Sequence, residues 1–230
     1  MRTRGSTLVA LGALMGLVAL YATDQIVPAA SPYQAQLRIW LAARASGLTA
    51  LLLLWAQVLL GLIMSHPTNQ TVWKLSKRLF PWHEDLVVFS LAFLALHVAS
   101  IVADPYAGVG LPGALIPGLS SYRSVPVALG SLGLYALIVT ALTARFSKRL
   151  PPGAWLRLHR FSLLVFALAW FHGMLSGTDS GPLTPLYVLL GSIVVFAAAH
   201  RYWVTRRAPP GREARGLRQP LAQPTGGRKP

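Results

Sequence analysis

The stretch HEDLVVFSLAFLALH, residues 83–97, decides how this chain is read. It leads into a window, Leu86–Ala103, that holds no Asp, Glu, Lys or Arg, and it carries a histidine at each end. A second stretch, HRFSLLVFALAWFH at residues 159–172, repeats the design. Uncharged apolar runs of this kind are bilayer-crossing chemistry, which needs about 20 residues, with a range of roughly 17–25. An ionisable side chain at that depth is costly and marks function by default. A single such histidine also serves as a hydrogen bonder between helices. Two pairs at matched spacing are hard to obtain by chance.

Working outward, six windows are free of charge: Thr7–Ala22, Ala45–Ser65, Leu86–Ala103, Ser124–Ala144, Phe161–Thr178 and Pro182–His200. They predict an all-α membrane protein, a six-transmembrane-helix bundle. The first is the shortest, though Gly5 and Ser6 extend it; behind Arg2 and Arg4 it also resembles a signal peptide or signal anchor. A cleavage site near Ala30 would put Pro28 at its −3 position, a poor fit. Loop chemistry occupies residues 27–32, 104–118, 151–153 and 177–185. The expected organisation is a first transmembrane helix at 1–22, a helical domain at 40–204 and a basic disordered tail at 208–230. The composition agrees, with 54% hydrophobic residues and 12% charged, against about 25% charged in soluble domains.

The charge is lopsided: 21 Lys and Arg against 6 Asp and Glu, a net +15. Such an excess suits nucleic acid, but in membrane proteins basic residues gather on cytoplasmic loops. With the N-terminus inside, 18 of the 21 cations fall on the cytoplasmic face and only Arg38, Arg44 and Arg123 on the other. The expectation is therefore a lipid bilayer partner and no nucleic acid, in a bacterial inner or plasma membrane with both termini cytoplasmic. The chain has no cysteine, which excludes disulfides, thiolate zinc sites, iron–sulfur clusters and covalent CxxCH heme attachment.

His83 and His97 lie 14 residues apart, and His159 and His172 lie 13 apart. At about 1.5 Å per residue these are separations of roughly 20 Å, within a hydrocarbon core about 30 Å thick. The third and fifth spans run the same way, so His83 comes level with His159, and His97 with His172. Two rungs result. A metal with two opposite open positions suits each, and heme iron accepts histidine nitrogen on either face. The predicted cofactors are two b-type hemes between the third and fifth spans. Zinc would want about four ligands per level, and Glu84 and Asp85 adjoin only His83. Metal or proton transport through a His-lined bundle is the non-redox alternative. The 13-residue spacing sets His159 and His172 about 140° apart on an ideal helix, so a bend, a π-bulge or tilted cofactors must absorb the difference.

In these residues the chain resembles the ferric reductase-like transmembrane domain family. Its relatives include ferric reductases, the membrane domain of NADPH oxidases, and the heme-binding membrane subunit of the methionine sulfoxide reductase system. The resemblance rests on LAARASG at 41–47, on His83 to His97, and on WLRLH at 155–159 through FHG at 171–173. It implies that His83 and His159 ligate an inner heme, and His97 and His172 an outer one. It further implies electron transfer from a cytosolic or membrane donor, a flavin reductase or quinol, to an extracytoplasmic acceptor protein or ferric iron. Arg44 matches an arginine near the outer heme in the NADPH oxidases. A cation there suits a propionate, and equally a plain interfacial anchor. Arg160 has the same two readings at the inner heme, and Arg157 reads as an anchor.

Two departures count. The NADPH oxidases carry a further histidine one turn beyond the outer ligand, where this chain has Ile101. No GxGxxG fingerprint appears, so the expectation is the heme membrane subunit of an oxidoreductase, with electrons from NAD(P)H arriving through another chain. Trp82 and Trp155 read as interfacial belt residues, Trp170 and Phe171 as packing on an outer porphyrin or facing lipid. His66 and His200 read as exposed interfacial histidines without partners on the ligand helices.

Overall fold

A computed structural model describes Gln25 and residues 30–66, 73–151 and 153–207. All regular structure among them is helical, and five helical stretches are long and apolar enough to cross a membrane. The first expected span, at residues 7–22, and the tail from residue 208 lie outside the described residues.

Helix α1, Pro32–Met64, starts well before its uncharged window. Proline at the first helical position costs no hydrogen bond, and Ser31 caps the end by accepting from the Gln34 amide. Gln34 reaches back to the Ala30 amide at 2.8 Å, a reciprocal arrangement of the capping-box kind. Arg38 and Arg44 are therefore helical residues at the end of α1 away from most of the basic residues.

Helix α2, Trp73–Ala103, likewise overruns its window and holds Pro81 within it. A 20-residue connection follows, containing the short helix α3, Gly110–Leu115. It is tied to α4, Ser124–Arg145, by Ser131 donating to the Ala114 carbonyl at 2.8 Å and Tyr135 donating to that of Leu115. Arg123, at φ 39°, turns the chain through the left-handed region into α4.

The fifth expected span is broken. Helix α5, Ala154–His159, and α6, Ser162–Ser176, meet at Arg160 and Phe161. There Phe161 bonds to Leu158 and Leu163 to Arg160, both three residues back. Such a step turns about 120° instead of about 100°. The overwinding brings His159 and His172 closer to one face, so the break absorbs part of the 13-residue spacing. Helix α7, Ser180–Arg207, takes in Pro185, and the loop expected at 177–185 shrinks to Gly177–Asp179.

The closest packing pairs α1 with α2 and α4 with α6, while α1 also touches α6 and α7. Leu51, Leu54, Val58 and Leu62 of α1 meet Val165 and Phe166 of α6 and Tyr187 and Val194 of α7 in the core. Helices α2 and α6 are not closely packed on each other. Outward-facing side chains are large and apolar, with Phe196 73% and Val195 68% exposed. A surface of that kind belongs in lipid and not in water.

Because α4 connects the two ends, Leu119 and Lys148 lie at opposite ends of the bundle. In this cysteine-free chain, Leu119→Cys and Lys148→Cys should label from opposite sides: one should react with an impermeant maleimide in intact cells and the other only after lysis. Labelling of both from one side would refute the topology.

Candidate functional site

The two histidine pairs meet as rungs. His97 of α2 faces His172 of α6 with ring centres 6.1 Å apart and planes at 73°. His83 of α2 faces His159, the last residue of α5, again at 6.1 Å, with planes at 78°. Each pair spans the space between α2 and the α5–α6 unit, which is why those helices do not close on each other.

The rungs differ in what holds them. The His97 Nδ1 lies 2.7 Å from the Ala43 carbonyl of α1. The His172 Nδ1 lies 2.8 Å from the Pro126 carbonyl of α4, with the Ser176 hydroxyl at 3.2 Å. A carbonyl only accepts, so these contacts require the proton on Nδ1 and leave Nε2 as a free acceptor. In the other rung, the Nδ1 atoms of His83 and His159 are buried without a hydrogen-bond partner. The Gln57 carbonyl approaches His83 but does not complete a bond.

A cavity of about 420 Å³ adjoins the His97–His172 rung. It lies in the usual range for small-molecule sites, about 300–1,000 Å³. Apolar residues such as Leu51, Val165 and Ile101 line most of it, while Arg44, Asp179, Tyr187 and several hydroxyl side chains, Ser90 among them, are polar exceptions. Arg44 is 17% exposed and pairs through Nη2 with Asp179 at 2.5 Å. Its Nε and Nη1 are buried without partners. Arg44 is thus a cation on the cavity wall. Arg160 is exposed at the α5–α6 break.

Trp170 turns away from the cavity, donating to the Tyr187 carbonyl of α7 at 2.8 Å, and Phe171 is exposed. Trp82 is exposed at 68%, as a belt residue would be. Trp155 instead sits beside His159, at 5.9 Å between ring centres. Among the described residues no three of His, Cys, Asp or Glu cluster. A metal at either rung would therefore draw its protein ligands from two imidazoles.

His66 and His200 have each other as partners, a pairing that the sequence reading did not include. Helices α1 and α7 bring them to one level, where the rings stack at 5.2 Å and 13°, with Nε2 of His66 3.2 Å from Nδ1 of His200. Phe196 stacks on the other side of His200. Only the folded bundle shows this pairing, because 134 residues separate the two in sequence. No protein-family model, curated protein or solved structure matches the chain.

His66 titrates below its ordinary value, first because burial disfavours the charged ring, then because of His200 and Arg201. His200→Ala removes the second of these causes. The His66 midpoint, followed by NMR titration, should move upward yet stay below that of a free imidazole. An unchanged midpoint would show that the rings are apart in solution.

Proposed function

We propose that this chain is a transmembrane electron conduit that holds two b-type hemes, one on each rung. The observation that carries the reading is the repeated geometry: two imidazole pairs at the same 6.1 Å separation, one between α2 and α5 and one between α2 and α6. A metal bonded to a nitrogen of each ring at about 2 Å, with half of each ring added, accounts for that separation. The cavity beside His97 and His172 supports a flat, largely apolar group better than a bare ion. When bound, heme supplies one-electron chemistry at a potential set by its axial ligands and surroundings.

The chain's own groups do the rest. His83 and His159 would be the inner ligands, and His97 and His172 the outer. Arg44 presents unpaired N–H groups to the cavity and would bind a propionate. Arg160, exposed at the basic end, would do so at the inner site. The largely apolar walls would offer the porphyrin face more contact than they offer water. Electrons would enter from a flavin reductase or quinol at the basic face and leave to a partner reductase or ferric iron on the other. A potential of 100 mV, negative inside, favours that direction by about 2.3 kcal/mol per charge. The resemblance to ferric reductase-like domains supports the same assignment, as does the predominance of Lys and Arg at one end. Proton relay is the weaker reading: of the acids among the described residues, Glu84 and Asp85 adjoin His83 alone, Asp104 and Asp179 follow the helices that carry His97 and His172, and residues 86–96 and 160–171 between the rungs hold no acid.

Protein purified from heme-replete cells should give about two hemes per chain in a pyridine hemochrome assay, with dithionite-reduced bands of b type. His97→Ala should lower the count to about one, with the inner site intact. Heme-free wild-type protein would overturn the proposal.

A further inference from the structure

The outer histidines are seated by a local device that the inner ones lack in complete form. In an α-helix the carbonyl of residue i accepts from the amide of residue i+4, and the side chain of i+4 leans back over the preceding turn. A glycine at i+4 uncovers that carbonyl. Ala43 and Gly47 of α1 stand in this relation, and so do Pro126 and Gly130 of α4. The two carbonyls so uncovered are the ones that hold Nδ1 of His97 and of His172.

The space is occupied by the imidazoles themselves. A Cβ built on Gly47 would lie 2.7 Å from the His97 Nδ1 and 2.9 Å from its Cε1. One on Gly130 would lie 2.7 Å from the His172 Nδ1 and 2.8 Å from its Cε1. Both are inside van der Waals contact, so any side chain there must push the ring off its carbonyl. Tyr187 and Gly191 of α7 repeat the relation for an indole: Trp170 donates to the Tyr187 carbonyl, and a Gly191 Cβ would lie 3.1 Å from its ring. On the inner rung the pair is Gln57 and Gly61, and there the fit is loose. A Gly61 Cβ would meet His83 at an ordinary 3.7 Å, and the His83 Nδ1 has no partner.

We infer that Gly47 and Gly130 are positioning residues of the outer site: by uncovering the Ala43 and Pro126 carbonyls they fix His97 and His172 with the proton on Nδ1 and Nε2 turned to the ligand. The inference rests on the heme reading for the identity of that ligand. Outer partners of this kind set ring orientation and raise ligand basicity, and losing one typically weakens metal retention about 10–100-fold.

The test compares wild type with Gly47→Ala, Gly130→Ala, Gly61→Ala and Gly191→Ala, all expressed with heme. Gly47→Ala and Gly130→Ala should each weaken retention of the outer heme about tenfold. In the fraction that keeps it, the reduction potential should rise and the low-spin EPR signal should change, for the outer heme alone. The inner heme of the same samples reports that the bundle has folded. Gly61→Ala and Gly191→Ala should leave both hemes as in wild type, which separates positioning from a general packing defect. A wild type without heme would overturn the reading of the previous subsection. Two hemes in wild type, with count, potential and EPR signal unmoved in Gly47→Ala and Gly130→Ala, would overturn only this inference. A further measurement needs no variant: in ¹⁵N-histidine-labelled, reduced wild type, His97 and His172 should carry the proton on Nδ1. The proton on Nε2 at either ring would overturn the inference whatever the variants do.

Discussion

Four imidazoles placed within membrane-spanning helices impose the constraint on which the rest of the arrangement depends. A neutral imidazole carries one donor and one acceptor, and bilayer hydrocarbon offers a partner for neither. Leaving such a group unpaired costs about 1–3 kcal/mol, whereas an interhelical hydrogen bond within a membrane returns only about 0.6 kcal/mol on average. The bonds from His97 to Ala43 and from His172 to Pro126 therefore matter less as glue than as a means of deciding which nitrogen remains. Every helix around the outer rung answers to that need. α1 and α4 supply the carbonyls, α2 and α6 carry the rings, and α7 fills the flank through Tyr187 and the Trp170 bond.

That division of labour explains the packing. α2 lies along α1 and α6 along α4, so each ligand helix is braced from behind and the space between them stays open. Helix α1 is the common support. Its Leu51, Leu54 and Val58 reach α6 and α7, while its Ala43–Gly47 turn receives His97. Small residues at helix contacts let backbones approach in membranes, where lipid removes the hydrophobic drive to associate. Here the same smallness admits a ring.

Much of this was legible before the fold. Charge-free windows mark spans because charge at bilayer depth is expensive, and five of them reappear as apolar helices. The level pairing of His83 with His159 and of His97 with His172 followed from rise per residue and chain direction alone. Helix ends were not legible, since α1 and α2 run on past their windows into polar sequence, where backbone hydrogen bonding continues without apolar side chains. Nor was the α5–α6 break at Arg160, although the 13-residue spacing required something of the kind. The His66–His200 stack depends on where α1 and α7 end relative to each other, a tertiary fact. The glycine device could have been found: Gly47 and Gly61 on α1 are 14 residues apart, as are His83 and His97 on the antiparallel α2.

The unequal rungs fit the proposed direction of flow. An electron carrier facing a mobile donor needs access, and the inner histidines sit near the end where chain breaks, exposed arginines and interfacial tryptophan gather. The outer pair lies by a partly open, largely apolar cavity, its rings held by carbonyls of two further helices and Arg44 at its wall. Hydrogen bonding to the ligand rings and dielectric are separate levers on a heme's potential, and in the proposed conduit they would act unequally at the two rungs. A strong Nδ1 donor bond favours the oxidised metal, whereas an apolar wall opposes the added charge. The outer site combines both, and the inner rung lacks the donor bonds. Two chemically identical ligand pairs thus need not be electrically identical, and in the proposed conduit the helices behind the ligands would set the difference.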